Sequence, residues 1–153
     1  MIKIIPSIAR VSLGLALVLL STSIKIFLGP IPLTLQTITF FFVSYSLLSL
    51  EKNIVFFLFL LLGSLGIVNS ASEVSFLMSP TLGYLLGMFI GSFFVSKIEN
   101  TYKAWLLYLV STYVFGLAYL NIFYSFHQTL MIGLYPFILP ELIKTIAVVS
   151  FKK

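Results

Sequence analysis

The sequence predicts an all-α integral membrane protein of six transmembrane helices, and three observations carry that expectation. The chain is 60% hydrophobic and 8% charged, with a mean hydropathy of +1.16. Soluble domains carry roughly a quarter charged residues, and nine basic and four acidic side chains cannot keep so apolar a surface in water. The apolar residues also fall into six runs of about membrane length, separated by short polar or Pro/Gly punctuation. Finally, the basic residues gather on alternate connections, as the positive-inside rule requires. Residues 1–153 therefore read as a single transmembrane domain in a cell membrane, with no soluble part.

The first span covers about Ser7–Leu28 and is closed by Gly29-Pro30-Ile31-Pro32. Lys3 and Arg10 ahead of Val11–Leu20 superficially resemble a signal peptide. Apolar character continues to Phe27, however, and no A-x-A-like site follows, so a retained helix is expected. The second span, about Leu33–Leu50, ends at Glu51-Lys52-Asn53, and the third, Ile54–Val68, gives way to Asn69-Ser70-Ala71-Ser72-Glu73. After Ser79-Pro80 the fourth runs from Thr81 to Val95 and ends at Lys97-Ile98-Glu99-Asn100. The fifth covers about Ala104–Phe126 and the sixth about Ile132–Phe151. With six spans, the termini and the connections after spans two and four share one side. That side carries Lys3, Arg10, Lys52, Lys97, Lys103, Lys152 and Lys153, against Lys25 alone on the other. Both termini are thus expected in the cytoplasm, and the connections near Gly29–Pro32, Asn69–Pro80 and His127–Gly133 outside.

Several function classes are excluded at this level. The net charge of +5 comes from scattered lysines, not from the clustered basic face that nucleic acid binding requires. Without cysteine, and with His127 as the single histidine, neither a disulfide nor a thiolate or multi-histidine metal site is expected. No G-x-x-x-x-G-K-[ST] is present, so the chain has no P-loop for ATP. No His or Cys accompanies the acids in the spans, which argues against an intramembrane hydrolase. We expect neither a cofactor nor enzymatic activity from the chain by itself. No clear internal repeat supports an inverted-repeat transporter.

The charges that stand out are Glu141 and Lys144, inside the apolar stretch Leu134–Phe151. Three residues apart on a helix, they share a face. A charge near the bilayer centre costs at least about 2.5 kcal/mol on insertion scales, so such residues usually face a protein interior and mark a functional site. Pro136 and Pro140 precede the pair and should kink the helix or delay its start. A helix starting at Pro140 spans about 18 Å, too little for the hydrocarbon core. The chain from Gly133 to Pro140 is therefore expected to enter the membrane irregularly or kinked, against protein or a polar cavity. A structural ion pair joining helices is the bland alternative. Thr34, Gln36 and Thr37 lie at the outer mouth of span two, where Gln36 offers donors and an acceptor and Thr34 equally suits a helix cap. Gly83, Gly87 and Gly91 form a small-xxx-small ridge, expected to serve packing within the chain rather than between subunits. His127 is expected to be a solvated interfacial residue.

Three stretches, in order, resemble the BioY family of biotin transporters. They are GPIPLTLQT at Gly29–Thr37, GSLG at Gly63–Gly66 followed by SPTLGYLLG at Ser79–Gly87, and PFILPELIK at Pro136–Lys144. The resemblance implies the substrate-binding S component of an energy-coupling factor (ECF) vitamin transporter. Such a protein takes biotin from outside and works with a transmembrane coupling subunit and two cytoplasmic ATPases. On this resemblance Glu141 accepts from the biotin ureido N–H groups and Lys144 donates to its carbonyl. Asn69, Thr81 and Tyr84 are candidates for the ligand carboxylate, with Gln36 near the mouth and Lys144 as an alternative carboxylate partner. The family's small-residue pattern for docking on the coupling subunit falls on Ser12 and Ala16. Glu141 stands where the family usually has aspartate, and Asn69-Ser70-Ala71-Ser72-Glu73 replaces a glycine-rich loop. Another small-vitamin S component and a structural membrane subunit without ligand are the alternatives.

Overall fold

The computed structural model describes residues 4–26, 31–68 and 79–150. Among these the chain is mostly helical: α1 (Ile4–Ser23), α2 (Gln36–Ser46), α3 (Ser49–Ser64), α4 (Leu82–Val95), α5 (Thr101–Leu120), α6 (Phe126–Gly133) and α7 (Tyr135–Ser150). Two short strands, β1 (Lys25–Ile26) and β2 (Leu33–Thr34), pair antiparallel between α1 and α2. The mostly helical architecture agrees with the expected class, and this short strand pair is an addition that the sequence reading did not include. Three stretches, Pro6–Ser23, Thr101–Leu120 and Phe126–Ser150, are long and apolar enough to cross a membrane, with Leu82–Val95 a shorter apolar helix.

The α4–α5 pair forms the tightest contact in the fold, and the glycine ridge is the reason. A Cβ on Gly87 would lie 2.7 Å from the Thr112 Cα and the Ser111 carbonyl, a separation that real side chains do not tolerate. Backbone approach of this kind is what small residues at four-residue spacing permit, and Ser111 Oγ donates to the Gly87 carbonyl across it at 2.9 Å. The ridge thus packs within the chain, as expected. Around the pair, Phe41 meets Trp105 edge-on at 5.0 Å and Phe56 stacks on Phe89 at 4.2 Å, with Val18, Val55 and Phe59 fully buried beside them.

Two boundaries differ from expectation. Glu51-Lys52-Asn53 does not close span two as a loop; it lies in the first turn of α3, which begins right after Leu47–Leu48. Glu51 Oε2 accepts the Leu48 N–H at 3.2 Å and so satisfies an otherwise orphaned helix donor. Both charges are buried: Glu51 is bonded to Arg10 and Ser7 of α1. Lys52 Nζ donates to the Ser92 carbonyl near the end of α4, where a helix terminus favours a cation.

The expected outer connection His127–Gly133 is helical as α6, and the expected sixth span, Ile132–Phe151, corresponds mainly to α7. Ser125 starts α6 with Gln128 Oε1 accepting the Ser125 N–H at 3.2 Å, the reciprocal arrangement of a capping box. The discontinuity sits at Leu134 (φ −122°, ψ −59°), two residues ahead of Pro136. Pro136 falls in the first turn of α7, where a missing N–H is harmless. Pro140 lies inside α7 and has no N–H to give the Pro136 carbonyl. A break near the prolines was expected and falls at Leu134, but the segment from Tyr135 to Pro140, expected to be irregular or kinked, is helical, and α7 does not start late at Pro140.

Candidate ligand-binding site

On α7 the buried residues are Phe137, Glu141, Lys144 and Val148, a stripe at helical spacing that faces the bundle. Leu139, Leu142, Ile143 and Ile146 point the other way and are exposed. The helix therefore turns its two charges inward and its aliphatic residues outward. Glu141 and Lys144 are 6% and 7% exposed and form an ion pair at 2.8 Å.

Donors converge on one oxygen of the carboxylate. Glu141 Oε1 accepts from Lys144 Nζ at 2.8 Å and from the hydroxyls of Thr37 (α2) and Tyr113 (α5), each at 3.3 Å. Lys144 Nζ also lies 3.4 Å from Thr37 Oγ1. The second carboxylate oxygen, Oε2, is buried and has no hydrogen-bond partner. Burial of such an atom is costly unless a donor reaches it, so this oxygen has room for one more. The backbone beneath is braced as well: Thr145 Oγ1 donates to the Glu141 carbonyl at 2.7 Å, and Trp105 Nε1 donates to Thr145 Oγ1 at 2.8 Å.

Beside this network lies a partly open cavity of about 60 Å3. Its polar lining includes Lys144, Thr37, Gln36, Thr34, Thr81 and Lys25; Tyr84, Tyr113, Phe137 and Met88 supply apolar and aromatic surface. The rings of Tyr84 and Phe137 stack at 6.3 Å, and Tyr84 meets Tyr113 edge-on at 5.8 Å.

Lys144, Gln36, Thr81 and Tyr84, all expected from the sequence, are thus brought to one cavity, and Glu141 is tied to it through Lys144. Asn69 lies outside the described residues. Tyr84 donates its hydroxyl to the Gly133 carbonyl at 2.8 Å, so its ring rather than its proton is turned to the cavity. Thr34 serves both readings given to it: it lines the cavity and its Oγ1 accepts the Gln36 N–H at 3.3 Å. Ser12 and Ala16 are far from this chemistry, on the exposed side of α1. Tyr113 and Phe137 were not singled out beforehand, being two aromatics among many. Lys25 was visible as the lone outward lysine, but its inward position depends on the hairpin.

A family model described as "BioY family" matches residues 2–152. The chain belongs to the BioY family. A "Probable biotin transporter BioY" of Pyrococcus horikoshii is 30% identical over 145 residues, covering 90% of this chain and 88% of the relative. A "Biotin transporter BioY" of Thermotoga maritima is 29% identical over 142 residues, covering 86% and 84%. A "Biotin transporter BioY2" of Lactococcus lactis subsp. cremoris is 30% identical over 158 residues, covering 95% and 87%. No solved structure gives a significant match to the chain. These BioY relatives carry the names of transporters, and membership in their family makes this chain a multi-pass membrane protein and not an enzyme.

Proposed function

We propose that this BioY-family chain is the biotin-binding S component of an ECF transporter. It crosses the cell membrane six times with both termini in the cytoplasm, forming one domain over residues 1–153, and captures biotin from the outer side. The observation that carries this reading is the buried Glu141–Lys144 pair beside the cavity. A ureido group presents two N–H donors and one carbonyl acceptor. Glu141 has an unpartnered oxygen for the donors, and the Lys144 ammonium has a third proton to offer the carbonyl. The fused ring and aliphatic arm then lie against Tyr84, Tyr113, Phe137 and Met88, apolar walls suited to them. Thr81 and Gln36 add polar groups to the same lining.

Uptake against a gradient needs energy, and the chain has no nucleotide-binding motif of its own. A transmembrane coupling subunit and two ATPases supply it in this reading. The exposed small residues Ser12 and Ala16 on α1 support a docking face, since small side chains let another helix approach closely. Co-purification with the tagged chain from its native membrane tests the whole proposal. The expected products are biotin together with a coupling subunit and two ATPases. Recovery of a different vitamin overturns the ligand, and recovery of the chain without ATPases under mild solubilisation overturns the coupling.

A further inference from the structure

The hairpin between α1 and α2 gives the cavity a second cation. In an antiparallel pair, residues directly opposite each other project from the same face. Lys25 is opposite Thr34, and both line the cavity, with Gln36 following two residues later. The next pair, Ile26 and Leu33, instead lines an apolar groove shared with Leu139 and Ile143 of α7. A lysine near a membrane surface normally extends its charge toward head-groups and water. Lys25 is half-buried and lines this cavity, where it also borders a second, more open cleft with Leu62 and Ile67.

Its neighbours fit an anion better than a neutral group. Gln36 Oε1 accepts from Thr34 Oγ1 at 3.4 Å, which leaves the amide N–H donors for another partner. The Thr22 hydroxyl, also in the lining, donates back to the Val18 and Leu19 carbonyls of its own helix and adds no negative charge. Lys144, the other cation in the lining, is already engaged with Glu141 at 2.8 Å.

We propose that Lys25, with Gln36 beside it, receives the carboxylate of the ligand, so that the site selects the free acid over its neutral amide. The assignment rests on the biotin reading above and deepens it by giving the two ends of the ligand different partners. The ureido group goes to Glu141 and Lys144; the carboxylate goes to the hairpin. This removes the need for Tyr84 as carboxylate donor.

The test compares biotin with biotinamide on the purified full chain in lipid nanodiscs. Wild type is expected to bind biotin about 10- to 100-fold more tightly than biotinamide, the range of a charge-assisted hydrogen bond. In Lys25→Met the preference collapses, because biotin loses about 10- to 100-fold and biotinamide much less; the retained amide binding shows that the variant is folded. Lys25→Arg keeps most of the preference. A Lys25→Met protein that retains the wild-type biotin-to-amide ratio overturns the assignment and leaves the biotin reading standing. Failure of wild type to bind either compound overturns both.

Discussion

Glu141 collects three donors on one oxygen and none on the other. An ion pair built purely for stability spreads its donors, because every unpartnered buried oxygen costs about 1–3 kcal/mol. The asymmetry is what the proposed ligand role asks of this carboxylate. Removing one partner of a buried pair is expensive, about 3–5 kcal/mol, so single variants confound binding with folding. The double variant Glu141→Gln with Lys144→Met removes both charges together and avoids this. Wild type at a biotin concentration 100 times its Kd should gain about 2.7 kcal/mol of stability, seen as a rise in Tm. The double variant should fold and show no such gain. If it is stabilised as wild type is, the pair is structural.

These two residues were legible without a structure because a charge in a membrane-length apolar run is an energetic anomaly in any fold. Thr37 was legible only as a polar group near the mouth, and Tyr113 not at all. Their roles arise where α2, α5 and α7 converge, which no local pattern encodes. Glu51 and Lys52 were misread for the opposite reason. Their charges fit the solvated loop of the positive-inside count, yet α3 begins early and buries both against α1 and α4.

At the scale of elements, the cavity is held open by two devices. The first is the α4–α5 glycine contact, which places Thr81 and Tyr84 across from Thr112 and Tyr113. Gly87→Val inserts a branched side chain where a Cβ already lies 2.7 Å from backbone. Overpacking of this type costs about 1–3 kcal/mol. We expect a lower Tm together with weaker biotin binding, since both walls move. A drop in Tm with unchanged affinity would show that the contact holds the bundle but not the site. The second device is the break at Leu134, which Tyr84 ties to α4 through the Gly133 carbonyl.

The break was half legible. Pro136 and Pro140 announced an irregularity, and Ser125 with Gln128 carries the capping-box spacing that opens α6. The hairpin was not legible, because two-residue strands show no alternation to detect. Lys25 acquires its position from pairing with Thr34, not from its neighbours in sequence.

The molecule as a whole is a bundle whose outward surface is aliphatic, with Leu13, Leu20, Val110, Val114, Leu142 and Ile146 all exposed. An exposed apolar surface of this extent marks a membrane-facing protein. Among the described residues its buried charges fall into two places: Glu51 and Lys52, where the exposed Arg10 pairs with Glu51, and Glu141 with Lys144 beside the cavity. Fold class was legible from composition alone, since it is dictated by the solvent the surface must meet.

Direct binding to the purified chain tests the central claim most sharply. The single tryptophan, Trp105, is fully buried and reaches the Glu141 backbone through Thr145, so its fluorescence reports on the site. Titration with biotin should give a saturable change with a Kd below the micromolar range, undiminished by an excess of unrelated vitamins. Absence of saturable biotin binding below the micromolar range would contradict the account.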